Sequence, residues 1–189
     1  PGAARRIATS VAKKGIKISV LVNNAGFGLY GLFHKSNSKR QMDMVAVNVG
    51  ALTELTREFL PGMVRRKHGR ILNVASIAAF EPGPLMAVYY ATKAYVLSLS
   101  LALQNELCRT GVTVTCLCPG PTRTGFAEAA DLLQSPLFHC GIMDPRTVAH
   151  YGYRACMRGK EITIPGWRNT FFAFLTRFIP RTTAAAYAR

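Results

Sequence analysis

Ser76, Tyr89 and Lys93 are the residues of this sequence whose types and spacing could do chemistry together. Tyr89 and Lys93 stand four apart in a run of helical composition, so they fall on one helix face. A free tyrosine has a pKa of about 10, too high to exchange protons readily at neutral pH. A lysine ammonium about 4 Å away, at an effective dielectric near 20, favours the phenolate by roughly 4 kcal/mol. That lowers the tyrosine pKa by about three units before desolvation opposes it. The phenol then becomes a usable general acid or base, and the Ser76 hydroxyl could hydrogen-bond the same reacting oxygen. A surface Tyr/Lys pair with a serine in a turn has the same spacing. Tyr90, three residues before Lys93, also meets the helical requirement.

The elements that must position these residues lie between Gly69 and Leu107. Arg70–Ala75 reads as a buried strand, Pro82 and Pro84 break the loop after it, and a long helix follows. Strand, crossover and helix make half of a βαβ unit, which implies a mostly parallel sheet covered by helices. In open sheets of that kind chemistry gathers outside the carboxyl ends of the strands, and Ser76 sits where the strand ends.

Ser76, thirteen residues before Tyr89, and the run Tyr89-Tyr90-Ala91-Thr92-Lys93 resemble the catalytic signature of the short-chain dehydrogenase/reductases. The family's Tyr-x-x-x-Lys pattern selects Tyr89 over Tyr90. Leu21-Val22-Asn23-Asn24-Ala25-Gly26 and Cys118-Pro119-Gly120, each after a strand, match the family as well. The motifs stand in the family's order and cover most of the chain. The resemblance implies an α/β chain, the later part of a doubly wound parallel-sheet Rossmann-like fold. The first βαβ half is expected to be absent, leaving residues 1–189 as a single incomplete domain. It also implies reversible hydride transfer between NADP or NAD, NADP being slightly favoured, and a carbonyl or alcohol carbon. Tyr89 would be the acid and Ser76 would hold the substrate oxygen. Lys93 would serve the tyrosine and the nicotinamide ribose, and Asn48 would hold a water that links Lys93 to solvent. Cofactor contacts would come from Asn23, Ala25, Gly26, Tyr89, Lys93, Pro119, Gly120, Thr122 and Thr124, and substrate contacts from Ser76, Tyr89 and Phe126.

The rest of the chain is read in order. Residues 3–14 have helical composition with Gly15 as the stop, and Ile16–Val22 is an apolar, β-branched run suited to a buried parallel strand. Gly26, Gly28 and Gly31 after it satisfy the G-x-G-x-x-G expression of a dinucleotide fingerprint. Those glycines should open a helix, whereas residues 33–40 are polar and the helical pattern starts at 41. The fingerprint is therefore rejected. By resemblance Asn23 braces the sheet, Ala25 and Gly26 pack small against the cofactor, and Gly28 and Gly31 are ordinary loop glycines. Residues 41–67 read as helix, with Pro61 as its kink or interruption. Asn48 lies between valines inside it, where an asparagine competes for backbone hydrogen bonds.

Val112–Leu117 reads as the next buried strand, and the low-bulk turn Pro119-Gly120-Pro121 would let a cofactor ring lie close to the backbone. The connection at 121–143 reads as a substrate loop, with Phe126, Leu132, Leu133, Leu137 and Phe138 offering an apolar wall. A helix from Asp144 to Arg158 and a short strand at Glu161–Ile164 come next. The tail, 167–189, sets Phe171, Phe174, Leu175 and Phe178 at helical spacing among Arg168, Arg177 and Arg181. It suits packing over the cleft or a neighbouring subunit, or peripheral contact of residues 167–181 with an anionic membrane.

Of the 189 residues, 49% are hydrophobic and 17% charged, which excludes a disordered chain. Lys and Arg outnumber Asp and Glu by 24 to 9. These cations are spread rather than striped with aromatics, so nucleic acid is not the expected partner. The five cysteines and four histidines show no metal spacing, Cys116 and Cys118 read as buried free thiols, and no metal is expected. A cytoplasmic location is expected, with a small-molecule carbonyl or alcohol substrate. The helices at 45–65 and 89–106 are apolar on more than one face, which calls for a homodimer or homotetramer. A non-catalytic or membrane-surface lipid-binding protein that keeps the scaffold is the alternative.

Overall fold

The computed structural model describes residues 2–126, 130 and 141–187. Its centre is a pair of parallel strands, β2 (Gly69–Val74) and β3 (Val112–Leu117), paired Gly69 with Val112 through Val74 with Leu117. Aliphatic and β-branched residues alternate to both faces of these strands, as a strand covered on both sides requires. β1 (Val20–Asn23) pairs with β2 and β4 (Ile162–Thr163) with β3, so the order among the described residues is β1-β2-β3-β4, all parallel.

Helices cover both faces, which makes the sheet doubly wound. On one side lie α3 (Leu52–Arg65) and α4 (Ala87–Glu106). There Met63, Ile71, Leu107, Val112 and Val114 form one cluster, and Leu52, Ala75, Val96, Cys116 and Cys118 a second. On the other side α5 (Pro145–Met157) packs Val148 and Cys156 against Leu72 and Leu117. Asp144 starts α5 by accepting from the Thr147 backbone N–H at 2.9 Å. Two further helices, α6 (Trp167–Leu175) and α7 (Arg181–Tyr187), complete the C-terminal region, and α1 (Ala3–Lys13) lies against α3.

α4 is the element that carries the site. Tyr89, Thr92, Lys93, Val96 and Ser100 are its buried stripe, at positions i, i+3, i+4, i+7 and i+11. The chain leaves α4 through Gly111, whose φ of +76° is left-handed and whose missing Cβ would collide with the Lys67 carbonyl. Only glycine serves there.

The first strand departs from the sequence reading. It spans Val20–Asn23 rather than Ile16–Val22, and Val20 and Val22 are exposed. Pairing starts where Arg70 N–H donates to the Ser19 carbonyl, because β2 itself begins only at Gly69. Residues opposite Ile16 would belong to the end of α3, and the Arg66 guanidinium takes the Ile18 carbonyl at 2.7 Å instead. The long helix also differs. α2 (Ser38–Val45), capped by Asn37, runs through a π-helical turn, Ala46–Ala51, into α3. Pro61 lies inside α3 without ending it, so the irregularity is at Asn48 and not at the proline.

A buried polar chain fixes strands to helices. Asn23 Nδ2 donates to Thr56 Oγ1 on α3 (3.1 Å) and to Asn73 Oδ1 on β2 (2.8 Å). Asn73 Nδ2 donates in turn to Ser100 Oγ on α4 (2.9 Å). Asn23 thus braces β1, β2 and both helices. Removing the middle of a buried hydrogen-bonded chain strands the partners on either side. Asn73→Leu should lower unfolding free energy in urea by about 2–3 kcal/mol, and Thr56→Val, which leaves Asn23 its Asn73 partner, by about 1 kcal/mol or less.

Candidate active site

The site forms where β2 and β3 end. Ala75 N–H donates to the Leu117 carbonyl at 2.8 Å and Ile77 N–H to the Pro119 carbonyl at 3.0 Å, so the ladder continues past both strands and holds Ser76 between. Ser76 is extended and caps a single 3-10 turn, Ile77–Phe80, its Oγ accepting from Ala78 N–H at 3.1 Å. The same hydroxyl faces the Pro119 carbonyl at 3.4 Å.

Tyr89 enters from the first turn of α4 and is buried among Met44, Ala78, Met86 and Ala130. The Phe126 ring lies 5.2 Å from it, centroid to centroid. That apolar setting pushes the Tyr89 phenol up to about 12, against the opposing hydrogen bond from Ser76. Lys93, one turn on, is buried too. Its Nζ donates to the Val74 carbonyl at 2.8 Å and sits 5.7 Å from the Tyr89 ring centroid. Burial lowers Lys93 to about 8, with the Cys116 and Cys118 thiols below it acting the other way. The expectation that lysine holds the tyrosine low is therefore not met in this arrangement. Desolvation is the larger effect, and the ammonium addresses a backbone carbonyl and the ring rather than the phenol oxygen.

Ser76, Tyr89 and Lys93 are thus brought together. Tyr90 is not part of the group: its ring fills the space over Gly83, and burial together with the Glu81 charge pushes its phenol up to about 12.

Asn48 reaches the site from the π-helical turn. Its Oδ1 accepts from Phe27 N–H at 3.1 Å, and its Nδ2 donates to the Phe27 carbonyl at 3.0 Å and to Thr92 Oγ1 at 3.1 Å. Both amide hydrogens are committed, so the side chain clamps the loop after β1 onto α4. A π turn at such a position is a recurrent device for aiming one residue inward. Gly26 borders the clamp, since a Cβ there would lie 3.0 Å from Asn48 Oδ1 and 3.5 Å from Lys93 Nζ.

Other glycines have jobs the sequence did not show. Gly28 is not an ordinary loop glycine, because a Cβ would lie 2.8 Å from Phe126 and 3.0 Å from Met86. It lets the loop after β1 lie under the loop after β3. Gly120 gives up its bulk to Asn169 of α6, whose amide would meet a Cβ at 2.6 Å. Asn169 donates to the Pro165 carbonyl at 2.7 Å, and no motif marks it. Thr122 hydrogen-bonds the Gly120 carbonyl at 2.9 Å, and Thr124 accepts from Phe126 N–H at 3.3 Å. Cys116 and Cys118 are buried free thiols, 3.7 Å apart. Leu132, Leu133, Leu137 and Phe138 lie outside the described residues.

A family model for short chain dehydrogenases matches residues 2–132. The chain belongs to the short-chain dehydrogenase family. Among curated proteins, a ketoacyl reductase of Nostoc is 37% identical over 134 residues, 70% of this chain and 46% of the relative. The NADP-dependent 3-hydroxy acid dehydrogenase of Escherichia coli is 42% identical over 113 residues, 59% of this chain and 45% of that protein. The chain spans about half the length of the curated relatives it matches. A short-chain dehydrogenase from Sphingobium yanoikuyae, solved in complex with NADPH, superposes with a TM-score of 0.77 at 27% identity. That match covers 99% of this chain and 75% of the other. The parallel sheet with helices on both faces is accordingly the Rossmann-like fold of the short-chain dehydrogenases. These relatives are reductases and dehydrogenases, and nothing among them supports a non-catalytic scaffold. No described helix is long and apolar enough to cross a membrane.

Burial of Lys93 in this short-chain dehydrogenase site has a measurable consequence. The unfolded lysine keeps its proton to about 10.5 and the folded one to about 8. Between those values the unfolded chain binds more protons, so the Lys93 contribution to stability rises with pH. Lys93→Met should remove a rise of up to about 1.4 kcal/mol per pH unit over that window, read from urea unfolding of parent and variant at matched pH. An identical slope in both proteins would place the ammonium in water.

Proposed function

We propose that this chain carries the catalytic half of an NAD(P)-dependent oxidoreductase that interconverts a carbonyl compound and its alcohol. The observation that carries this reading is the convergence of Ser76 and Lys93 on Tyr89 at the carboxyl ends of β2 and β3. Bound NAD(P) would supply the hydride donor or acceptor. The side-chain-free backbone at Gly26, beside Asn48 and Lys93, fits the nicotinamide end of such a cofactor. We assign Ala25, Gly26, Lys93, Pro119, Gly120, Thr122 and Thr124 to that cofactor. Asn23 supports them from below as a brace. NADP is favoured because the Escherichia coli relative is NADP-dependent and the Sphingobium dehydrogenase holds NADPH.

In reduction, Tyr89 Oη gives its proton to the substrate oxygen as negative charge grows there, and the Ser76 hydroxyl donates a hydrogen bond to the same oxygen. A phenol near 12 is a poor acid toward water. It still loses its proton downhill to an alkoxide, whose basicity approaches that of hydroxide, the conjugate base of water at about 15.7. Lys93 keeps positive charge beneath the ring. Asn48 is a positioning residue in this scheme, since it locks the loop that carries Gly26 against α4. The cluster of Met44, Met86, Phe126 and Ala130 around Tyr89 suits an apolar or acyl carbonyl compound, in keeping with the ketoacyl reductase of Nostoc.

In the intact enzyme, Tyr89→Phe should cut turnover of 3-oxoacyl thioesters or aromatic ketones with NADPH by at least ~10²-fold. Tyr90→Phe should leave it within a few-fold of the parent. Inactivity of Tyr90→Phe with a working Tyr89→Phe would reverse the choice of acid. We also assign a dimer or tetramer to the intact enzyme, closing over the half-exposed Tyr95 and Leu101 of α4. Light scattering that shows only monomer would refute the assembly.

A further inference from the structure

α6 is turned inside out relative to an ordinary surface helix. Its inner side is small and polar: Ala173 is buried and Asn169 fills the space over Gly120. Its outer side holds Trp167, Phe171 and Phe174, and Phe178 extends the same stripe just past the helix end. These four are 75%, 57%, 52% and 70% exposed. Their spacing of four, three and four residues puts them on one line, and the Phe174 and Phe178 rings pack edge to face at 5.1 Å. A contiguous apolar stripe pointing into water marks a docking surface rather than scattered exposure.

Charge identifies what it docks on. No Asp or Glu follows Glu161, while Arg168, Arg177 and Arg181 flank the stripe. None of the three meets a carboxylate among the described residues, and Arg168 stacks over the Trp167 ring at 5.5 Å. A second copy brought to this face would oppose arginine with arginine. A layer of anionic headgroups above acyl chains complements both the cations and the aromatic stripe. We propose that Trp167–Arg181 docks the protein on the surface of an anionic lipid bilayer, with α6 lying in the interface. The Asn169 contact to Gly120 then holds the loop after β3 about one helix diameter, ~10 Å, from the lipid. The docking stands independently of the catalytic reading.

Trp167 is the single tryptophan of these 189 residues, so in this chain its fluorescence reports this surface. The intact protein should cosediment with phosphatidylcholine vesicles containing about one-third phosphatidylglycerol, with a blue shift of Trp167 emission that salt weakens. Pure phosphatidylcholine vesicles should bind far less. The double variant F171S/F178S, altered only at exposed positions, should bind anionic vesicles at least ~10-fold more weakly while keeping the parental urea midpoint. R168Q/R177Q/R181Q should lose the preference for anionic lipid. No cosedimentation, or equal binding to both vesicle types, overturns the proposal. A lipid-free, concentration-dependent blue shift with a doubled mass that Phe178→Ser abolishes also overturns it, in favour of a second copy.

Discussion

Asn73 and Ser100, both without solvent exposure, share a hydrogen bond of 2.9 Å that sets the height of α4 on the sheet. Ser100 completes the lock by donating to the Val96 carbonyl one turn back at 2.6 Å. With that contact fixed, strand and helix close like opposed teeth. Asn73 meets Ser100, Val74 meets Lys93 through its carbonyl, and Ser76 meets Tyr89. Strand residues ascend as helix residues descend. A slip of α4 by one turn, about 5.4 Å, would part all three pairs together. The buried polar contact thus does for register what apolar packing alone, being non-directional, does poorly.

What lay open in the sequence was whatever a local pattern enforces. The β-branched run of Val112–Leu117, the interval from Tyr89 to Lys93 and the helix start at Asp144 all act through neighbours in the chain, and each appears where its pattern puts it. The refusal of the G-x-G-x-x-G match was also a local inference, and the segment after Gly26 runs as loop until α2 opens at Ser38. The brace at Asn23 came from the resemblance of Leu21–Gly26 to the family's motif rather than from any local pattern, and its amide bridges Asn73 and Thr56.

What stayed hidden depends on residues far apart in sequence. Pro61 is the obvious helix breaker, yet the break in regularity sits at Asn48, whose amide reaches Phe27 and Thr92 across 21 and 44 residues. Gly28 and Gly120 look like turn residues until Phe126 and Asn169 arrive against them. The tyrosine–lysine pair allowed an estimate of attraction but not of burial. The cluster of Met44, Met86, Phe126 and Ala130 that shuts Tyr89 away from water comes from three separate stretches of chain. The sign of the phenol's shift was therefore a tertiary property.

The π-helical turn at Ala46–Ala51 also sets a count. It holds one residue more than an α-helical path through the same space needs. Deleting that extra residue would let the helix close at its normal pitch with α3 left in place, and would withdraw the bulge that aims Asn48 inward. Thr56 would keep Asn23, while Asn48 would leave Phe27. The segment between the Asn37 cap and Thr56 therefore accepts exchanges of side chain far more readily than changes of length. In this part of the chain the number of residues is itself inherited information, as binding as any of their identities.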